Sequence, residues 1–369
     1  MKYNYPATSG SLSDVPTYTQ MEADWAARET IITKPLTTYS VSEDTVNKTK
    51  TTTVTSSPTT LPDGTMQAGA KTIEIVDNNP TNYTYGLVKE DCVEDATGHV
   101  LQKTIASWEV PGNVQYPYAG QPQCAKCYLS ARPKFYEIYD ERNQKTKTSY
   151  TYGTEYNQVA ELREFDYGGT TLRRKTVNSY LSDPNYTTNH IFNLVTATEM
   201  WGPNDTDAIA GTFNEAGFVR ASRTEYQYDQ NPLQNYDTTE KANYLVNHNG
   251  SYDPNSGYYW TAKNYRGLVT TVKKYADAAG MNSATAVSES RTYDFLGNLV
   301  KTSMNGAQFT KFNLNKDTKW TWPSSQIFGA ETDNAKQGQI SAVFDFNTGL
   351  GTDATDADSK TSTVDYLVA

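Results

Sequence analysis

Apolar and polar positions alternate with a period of two along much of this chain. Lys71-Thr-Ile-Glu-Ile-Val76, Ser149-Tyr-Thr-Tyr152 and Thr224-Glu-Tyr-Gln-Tyr228 each place apolar or aromatic side chains on one face and polar ones on the other. That is the period of a β-strand with one covered face. Helical spacing is scarce. The stretch 20–30, with Trp25 among alanines, is the one segment whose pattern predicts a short helix. The predicted fold class is all-β: stacked antiparallel β-hairpins forming an extended, curved or spiralling sheet.

Between the strands one turn chemistry recurs. Asp294-Phe-Leu-Gly297-Asn298 is its cleanest copy, preceded by Tyr293, and Asp95-Ala-Thr-Gly98-His99 has the same frame. Asn214 with Gly217 and Asn264 with Gly267 are variants carrying Asn for Asp. Asp140 with Asn143 carries Asn where glycine stood, and Asp356-Ala-Asp358-Ser359-Lys360 is the most decayed copy. The frame has a physical reason. Asp or Asn at the first position accepts a backbone N–H and starts a type I turn. Glycine three residues later takes a positive φ and closes a three-residue hairpin with a bulge. Asparagine tolerates that conformation better than other side chains do. One such hairpin cannot bury its apolar face alone, so the copies are expected to stack. Their spacing is ragged, about 30 to 75 residues, which leaves room for loops at 113–122 and 202–211, while 349–359 is rich in Asp and Thr and is expected to be mobile. The expected organisation is an N-terminal strand and loop segment over 1–50, with the short helix, then a continuous repeat array over 51–369.

Composition agrees with strands rather than disorder. Of 369 residues, 28 are Tyr, 11 Phe and 6 Trp, so burial area is plentiful although only 37% of the chain is hydrophobic. The net charge of -10 and the absence of a Lys/Arg stripe argue against nucleic acid as a partner. No apolar run is long enough for a transmembrane helix, so no membrane span is expected. The opening Met1-Lys-Tyr-Asn-Tyr5 lacks the apolar core of a secretory signal and begins in a strand-like pattern, so the chain reads as a piece of a longer one.

Candidate chemistry is thin. Cys124 and Cys127 can be plain thiols, a disulfide or half a metal site, but His99, His190 and His248 are isolated from them and from each other. A nucleophile needs a base in reach, and neither a Gly-x-Ser-x-Gly elbow nor a His-rich cluster supplies one. Glycoside hydrolysis needs two carboxylates at a set separation, which 42 acidic residues in turns do not specify. Asp353, Asp356 and Asp358 can gather round calcium, yet their spacing fits a solvated acidic turn better than an EF-hand. Tyr258-Tyr-Trp260 and Trp320-Thr-Trp322 can stack a sugar or pair across strands in the core. No catalytic, cofactor-binding or metal residue is assigned. The site residues are the turn pairs Asp95 and Gly98, Asp140 and Asn143, Asn214 and Gly217, Asn264 and Gly267, and Asp294 and Gly297.

Arg291-Thr-Tyr-Asp-Phe-Leu-Gly-Asn-Leu-Val-Lys-Thr302 resembles the YD repeat of RHS proteins: Tyr-Asp, two residues, Gly, a polar residue, then Leu. Thr51-Thr-Thr-Val-Thr with Asp63-Gly64, Val343-Phe-Asp-Phe-Asn-Thr-Gly349 and Thr355-Asp-Ala-Asp-Ser-Lys-Thr361 are similar to further repeat halves. Glu164-Phe-Asp-Tyr-Gly-Gly, followed by Tyr180 and His190-Ile-Phe-Asn-Leu194, is similar to divergent long-repeat members. The resemblance covers the chain from about Thr51 onward. It implies a hollow β-shell that is not itself catalytic, commonly enclosing a C-terminal toxin and shared with teneurin adhesion proteins. It also implies an extracellular or cell-surface location. The expected partners are the remainder of a longer RHS chain or further copies of itself, with an encapsulated toxin domain or a surface glycan. The family's self-cleaving motif, Asp-Pro followed by Gly, is not matched, because Asp183-Pro184 and Asp253-Pro254 are followed by Asn185 and Asn255. An adhesin or filament subunit built by strand-edge pairing is the alternative reading, and a glycan-active enzyme a third.

Overall fold

The computed structural model describes residues 2–4, 20–22, 36–60, 64–110, 131–153, 157–234, 252–253, 258–259, 265–275, 280, 285–294, 296–314, 321–345 and 348–364. The chain is all-β, built from open antiparallel sheet with hairpin connections, and falls into two compact units.

Unit 1 comprises 1–176 and 202–218. Its strands are β1 (Lys2–Asn4), β2 (Gln20–Glu22), β3 (Leu36–Asp44) and β4 (Thr49–Ser56), then β5 (Thr59–Thr60) paired apart with β6 (Met66–Gln67). There follow β7 (Ala70–Asp77), β8 (Val88–Asp95), β9 (Val100–Glu109), β10 (Arg132–Asp140), β11 (Lys145–Tyr152), β12 (Val159–Phe165) and β13 (Leu172–Tyr180), within which the unit boundary falls. From β1 to β12, apart from β5 and β6, each strand pairs antiparallel with the next one along the chain. Gln20–Glu22 is therefore a strand and not the start of the expected helix; 23–30 lies outside the described residues. Three residues of that stretch find ladder partners on both sides, in β1 and β3, and such tertiary pairing overrides local propensity. β3 and β4 pair from Thr37 with Ser56 to Asp44 with Thr49, so the ladder runs straight through residue 50.

The two faces of this sheet differ. Trp108, Tyr136 and Tyr150 form an edge-to-face row across β9, β10 and β11, with ring centroids 6.3 and 6.1 Å apart. The opposite face carries Glu137 between Lys145 and Lys147, with Lys147 over the rings of Phe135 and Phe165. Cross-strand pairs of both kinds stabilise a sheet by about 0.2–1 kcal/mol each.

Unit 2 comprises 177–201 and 219–369. After the end of β13 come α1 (Pro184–Thr187), β14 (Val195–Gly202), β15 (Val219–Tyr228), β16 (Tyr252–Asp253), β17 (Tyr258–Tyr259), β18 (Val269–Lys274), β19 (Val287–Tyr293) and β20 (Leu299–Met304). β21 (Gln308–Leu314), β22 (Pro323–Ala330), β23 (Gln337–Phe344), β24 (Gly351–Thr355) and β25 (Thr361–Thr363) complete it. From β15 through β18 to β25 each strand again pairs antiparallel with its successor, while β16 and β17 pair apart. Burial is concentrated at the hairpin corners here. Among the described residues of unit 2, Val300, Thr270 and Asp294 are each no more than 2% exposed, and Tyr186 and Tyr228 are also buried.

Candidate functional site: the acid-to-glycine corners

Asp294, Asp95, Asp140 and Asp356 close hairpins with the same set of bonds. In each, the residue three places on donates its N–H to the aspartate carbonyl oxygen, and the aspartate N–H donates to the carbonyl four places on, at 2.9–3.1 Å. The carboxylate Oδ1 then accepts the N–H four residues on: Asn298 at 2.8 Å, His99 at 2.9 Å, Gln144 at 2.8 Å and Lys360 at 2.9 Å. In three of the four it also accepts the N–H two residues on: Thr97, Arg142 and Asp358. The third residue after the acid takes positive φ in every copy: Gly297 at 95°, Gly98 at 86°, Asn143 at 57° and Ser359 at 64°. A serine in this region is uncommon, and four local hydrogen bonds hold the Asp356 corner closed around it.

Two neighbours complete the Asp294 corner. Tyr293 faces Leu299, and the register then slips so that Thr292 faces Lys301, leaving Val300 as an extra residue that is 1% exposed. That is a bulge whose additional side chain points into the protein. The Tyr293 hydroxyl donates to the Val269 carbonyl oxygen at 3.0 Å, at the start of the preceding hairpin strand. Tyr228 does the same to Val195 at 2.6 Å. In this way the tyrosine before the acid ties one hairpin to the one before it.

The other two predicted pairs behave differently. Gly217 does not take positive φ; it ends a 3-10 turn, Glu215–Gly217, that Asn214 caps by accepting the Ala216 N–H at 3.1 Å. The pair therefore reverses no tight hairpin. β14 and β15 are joined instead by a long connection that includes the helix α2 (Asp205–Ala210). Within unit 1 this connection is held by side chains: Glu215 binds Arg163 at 2.9 Å and Lys175 at 3.0 Å, and Arg173 lies 3.6 Å from the Phe213 ring centroid. The Lys175 hydrogen bond, with the Arg163 charge, holds the Glu215 carboxyl below the usual range despite partial burial. Asn264 lies outside the described residues, and the carboxylate serving Gly267 comes from Asp229, which accepts the N–H groups of Arg266, Gly267 and Leu268 at 2.8, 2.8 and 3.1 Å.

Other corners lie outside the predicted pairs, although Asp166-Tyr-Gly-Gly169 has the Asp-x-x-Gly frame itself. Asp166 reaches Gly169 and Thr171, and Asp345 reaches Gly349 and Leu350, each with one residue more before the strands rejoin. The family resemblance touches both, but neither is among the predicted turn pairs. Asp44 accepts the N–H groups of Val46 and Asn47 with no glycine at all, the left-handed position being Lys48 at φ 54°. Those amide bonds, led by Asn47, hold its carboxyl low. Asp77, 1% exposed, accepts Asn79 N–H at 2.9 Å, Asn82 Nδ2 at 3.1 Å and the Thr84 hydroxyl. Burial raises its carboxyl, and these bonds more than offset that, so it stays low.

The remaining candidates are dispersed. No group of three metal-ligating side chains exists among the described residues. Asp356 is occupied by its own turn, and Asp353 accepts the Thr363 hydroxyl at 2.8 Å. Asp183 caps α1 through the Asn185 N–H. Trp322 stacks on Phe344 at 6.3 Å and lies 3.0 Å from where a Cβ on Gly349 would stand, so it packs against its own hairpin. Cys124, Cys127, His248, Trp260 and Trp320 lie outside the described residues. Cys92 is buried and its thiol is pushed up by burial. A concavity of about 670 Å³ over β15, β18 and β19 is lined by Glu225, Gln227, Thr271, Lys273, Ser288 and Asn305, which include neither cysteine nor histidine.

No family model matches this chain, and no curated protein matches it. Solved structures do. The crystal structure of TcdB2-TccC3-TEV matches 90% of this chain at a TM-score of 0.54 and 10% identity. That of TcdB2-TccC3-Cdc42 matches 95% at 0.53 and 11%. This chain spans 21% and 22% of those chains, about a fifth of their length. At that identity the likeness shows the fold.

Proposed function

We propose that the chain is a non-catalytic structural shell segment of an RHS-type protein working outside the cell or at its surface. One observation carries the reading. The Tyr-Asp corner is a mechanical joint, because its acid closes one hairpin while its tyrosine hydroxyl bonds the hairpin before it, at Tyr228 and again at Tyr293. The fold likeness to TcdB2-TccC3 structures supports it, as does the YD resemblance around Asp294. A wall of this kind works by covering what lies behind it. Its partners are then the rest of a longer RHS chain or further copies, with a toxin domain or surface glycan as what it covers or meets. Negative-stain imaging and solution scattering of the purified chain test this. Discrete curved or hollow particles are expected. Ordered fibres would replace the reading with a strand-edge filament, and turnover of a polysaccharide would overturn it.

A further inference from the structure

The corner served by Asp229 repeats the register slip, the positive-φ glycine and the carboxylate-to-amide bond of the Asp294 corner, yet its first and last residues are far apart in sequence. Asp229 N–H donates to the Leu268 carbonyl at 2.9 Å, as Asp294 N–H does to Asn298 at 2.9 Å. Leu268 N–H donates to Asp229 Oδ1 at 3.1 Å, as Asn298 N–H does to Asp294 at 2.8 Å. Gly267 has φ 75° where Gly297 has 95°. Tyr228 faces Val269 as Tyr293 faces Leu299, and the register slips at the same place. The extra residue is Thr270, 2% exposed, where the other corner has Val300 at 1%. Both tyrosines bond the preceding hairpin.

We infer that residues 230–264 are an insertion lodged inside one complete Tyr-Asp corner, and that Asp229 closes this corner with Gly267 and Leu268 across it as Asp294 closes its own with Gly297 and Asn298. Removing 230–264 would join Tyr228-Asp229 to Tyr265-Arg-Gly267-Leu-Val269, the Tyr-Asp-x-x-Gly-x-Val frame itself. Two features mark the splice. Asp229 is at φ 53°, a left-handed turn that sends the chain away from the hairpin and that Asp tolerates. Gly267 N–H bonds the Asp229 carboxylate at 2.8 Å, whereas Gly297 N–H bonds the Asp294 main-chain carbonyl.

The stem of the insertion is strapped down. Gln230 N–H donates to the Thr270 hydroxyl at 3.0 Å, Asn231 Nδ2 to the Arg291 carbonyl at 2.6 Å, and Gln234 N–H to the Tyr293 carbonyl at 2.8 Å. The strap thus crosses from one corner to the next and takes over the anchoring that a continuous turn would supply. At the other end, a Cβ on Gly267 would lie 3.2 Å from Leu194 and 3.3 Å from Ile191, and Tyr265 packs edge-on to Tyr186 at 5.2 Å.

Excision of 230–264 tests the inference. The shortened chain is expected to keep the strand-type circular dichroism and a melting temperature within a few degrees of the parent. Loss of the folded sheet would overturn the inference. A second pair of variants decides between the two acids for this corner. Asp229→Ala in the full chain is expected to lower the melting temperature and speed exchange of the Leu268 amide at least tenfold, while Asn264→Ala leaves both unchanged. The reverse pattern would make Asn264 the corner acid and end the inference, whatever the excised chain does.

Discussion

Replacing Asp294 by alanine isolates what a buried corner acid contributes. Its side chain is 0% exposed, and its carboxylate accepts the Asn298 backbone N–H at 2.8 Å and the Asn298 Nδ2 at 2.9 Å. Alanine removes that acceptor from a half-buried backbone amide beside the buried Val300. An orphaned buried amide costs about 1–3 kcal/mol, and the lost side-chain bond adds about 1 kcal/mol, so the expected loss is about 2–4 kcal/mol. Asp294→Asn keeps an oxygen acceptor and should recover most of this. The same truncation at the exposed Asp95 corner should cost clearly less, since water replaces the carboxylate there. Urea unfolding followed by tryptophan fluorescence gives the stability differences, and amide exchange at Asn298 reports the corner locally. Equal losses for Asp294→Ala and Asp95→Ala, or unchanged exchange at Asn298, would refute the argument that burial sets the value of the acid.

Further outcomes follow from the same geometry. Gly297→Ala forces a side chain into φ 95° and should cost about 1–2 kcal/mol in thermal unfolding, whereas Asn143→Gly, at φ 57°, should be close to neutral. Tyr293→Phe removes the bond to the Val269 carbonyl and should cost about 1 kcal/mol by the same assay. The chain should lose stability in acid. Glu199 is raised by burial but held low overall by Arg220, Arg223 and Trp201, and Glu331 is held low by Lys301 and Ser303. Carboxyls depressed in the folded state add stability above their unfolded value, near 4.3, and lose it as the pH falls through the folded value, so melting temperatures should be level from about pH 5 to 8 and drop below about 4. Cys92, buried and with a raised thiol, should resist iodoacetamide until the protein is unfolded, as read by peptide mass spectrometry.

Legibility in the sequence tracked how local each bond was. Asp95, Asp140 and Asp294 could be read because acid, left-handed residue and both amide partners lie within five consecutive residues. Asp44 was missed because its left-handed position is a lysine, whose identity carries no such signal. At Gln20–Glu22 the local pattern points to a helix start because alanines around Trp25 favour one, while those three residues meet strands on both sides.

Alternation of side chains fixed the all-β class, and short acid-to-glycine frames fixed where tight hairpins turn, since both depend only on neighbours in the chain. Tertiary structure decided the rest. It drew Asn214 and Gly217 into a 3-10 turn held by Arg163 and Lys175, and it gave the Gly267 corner its acid from Asp229, on the far side of an insertion. It also chose which corner acids are buried. The physical reason is the same in each case: a backbone N–H donates to whichever acceptor reaches it in space, and spacing along the chain carries no record of which one that will be.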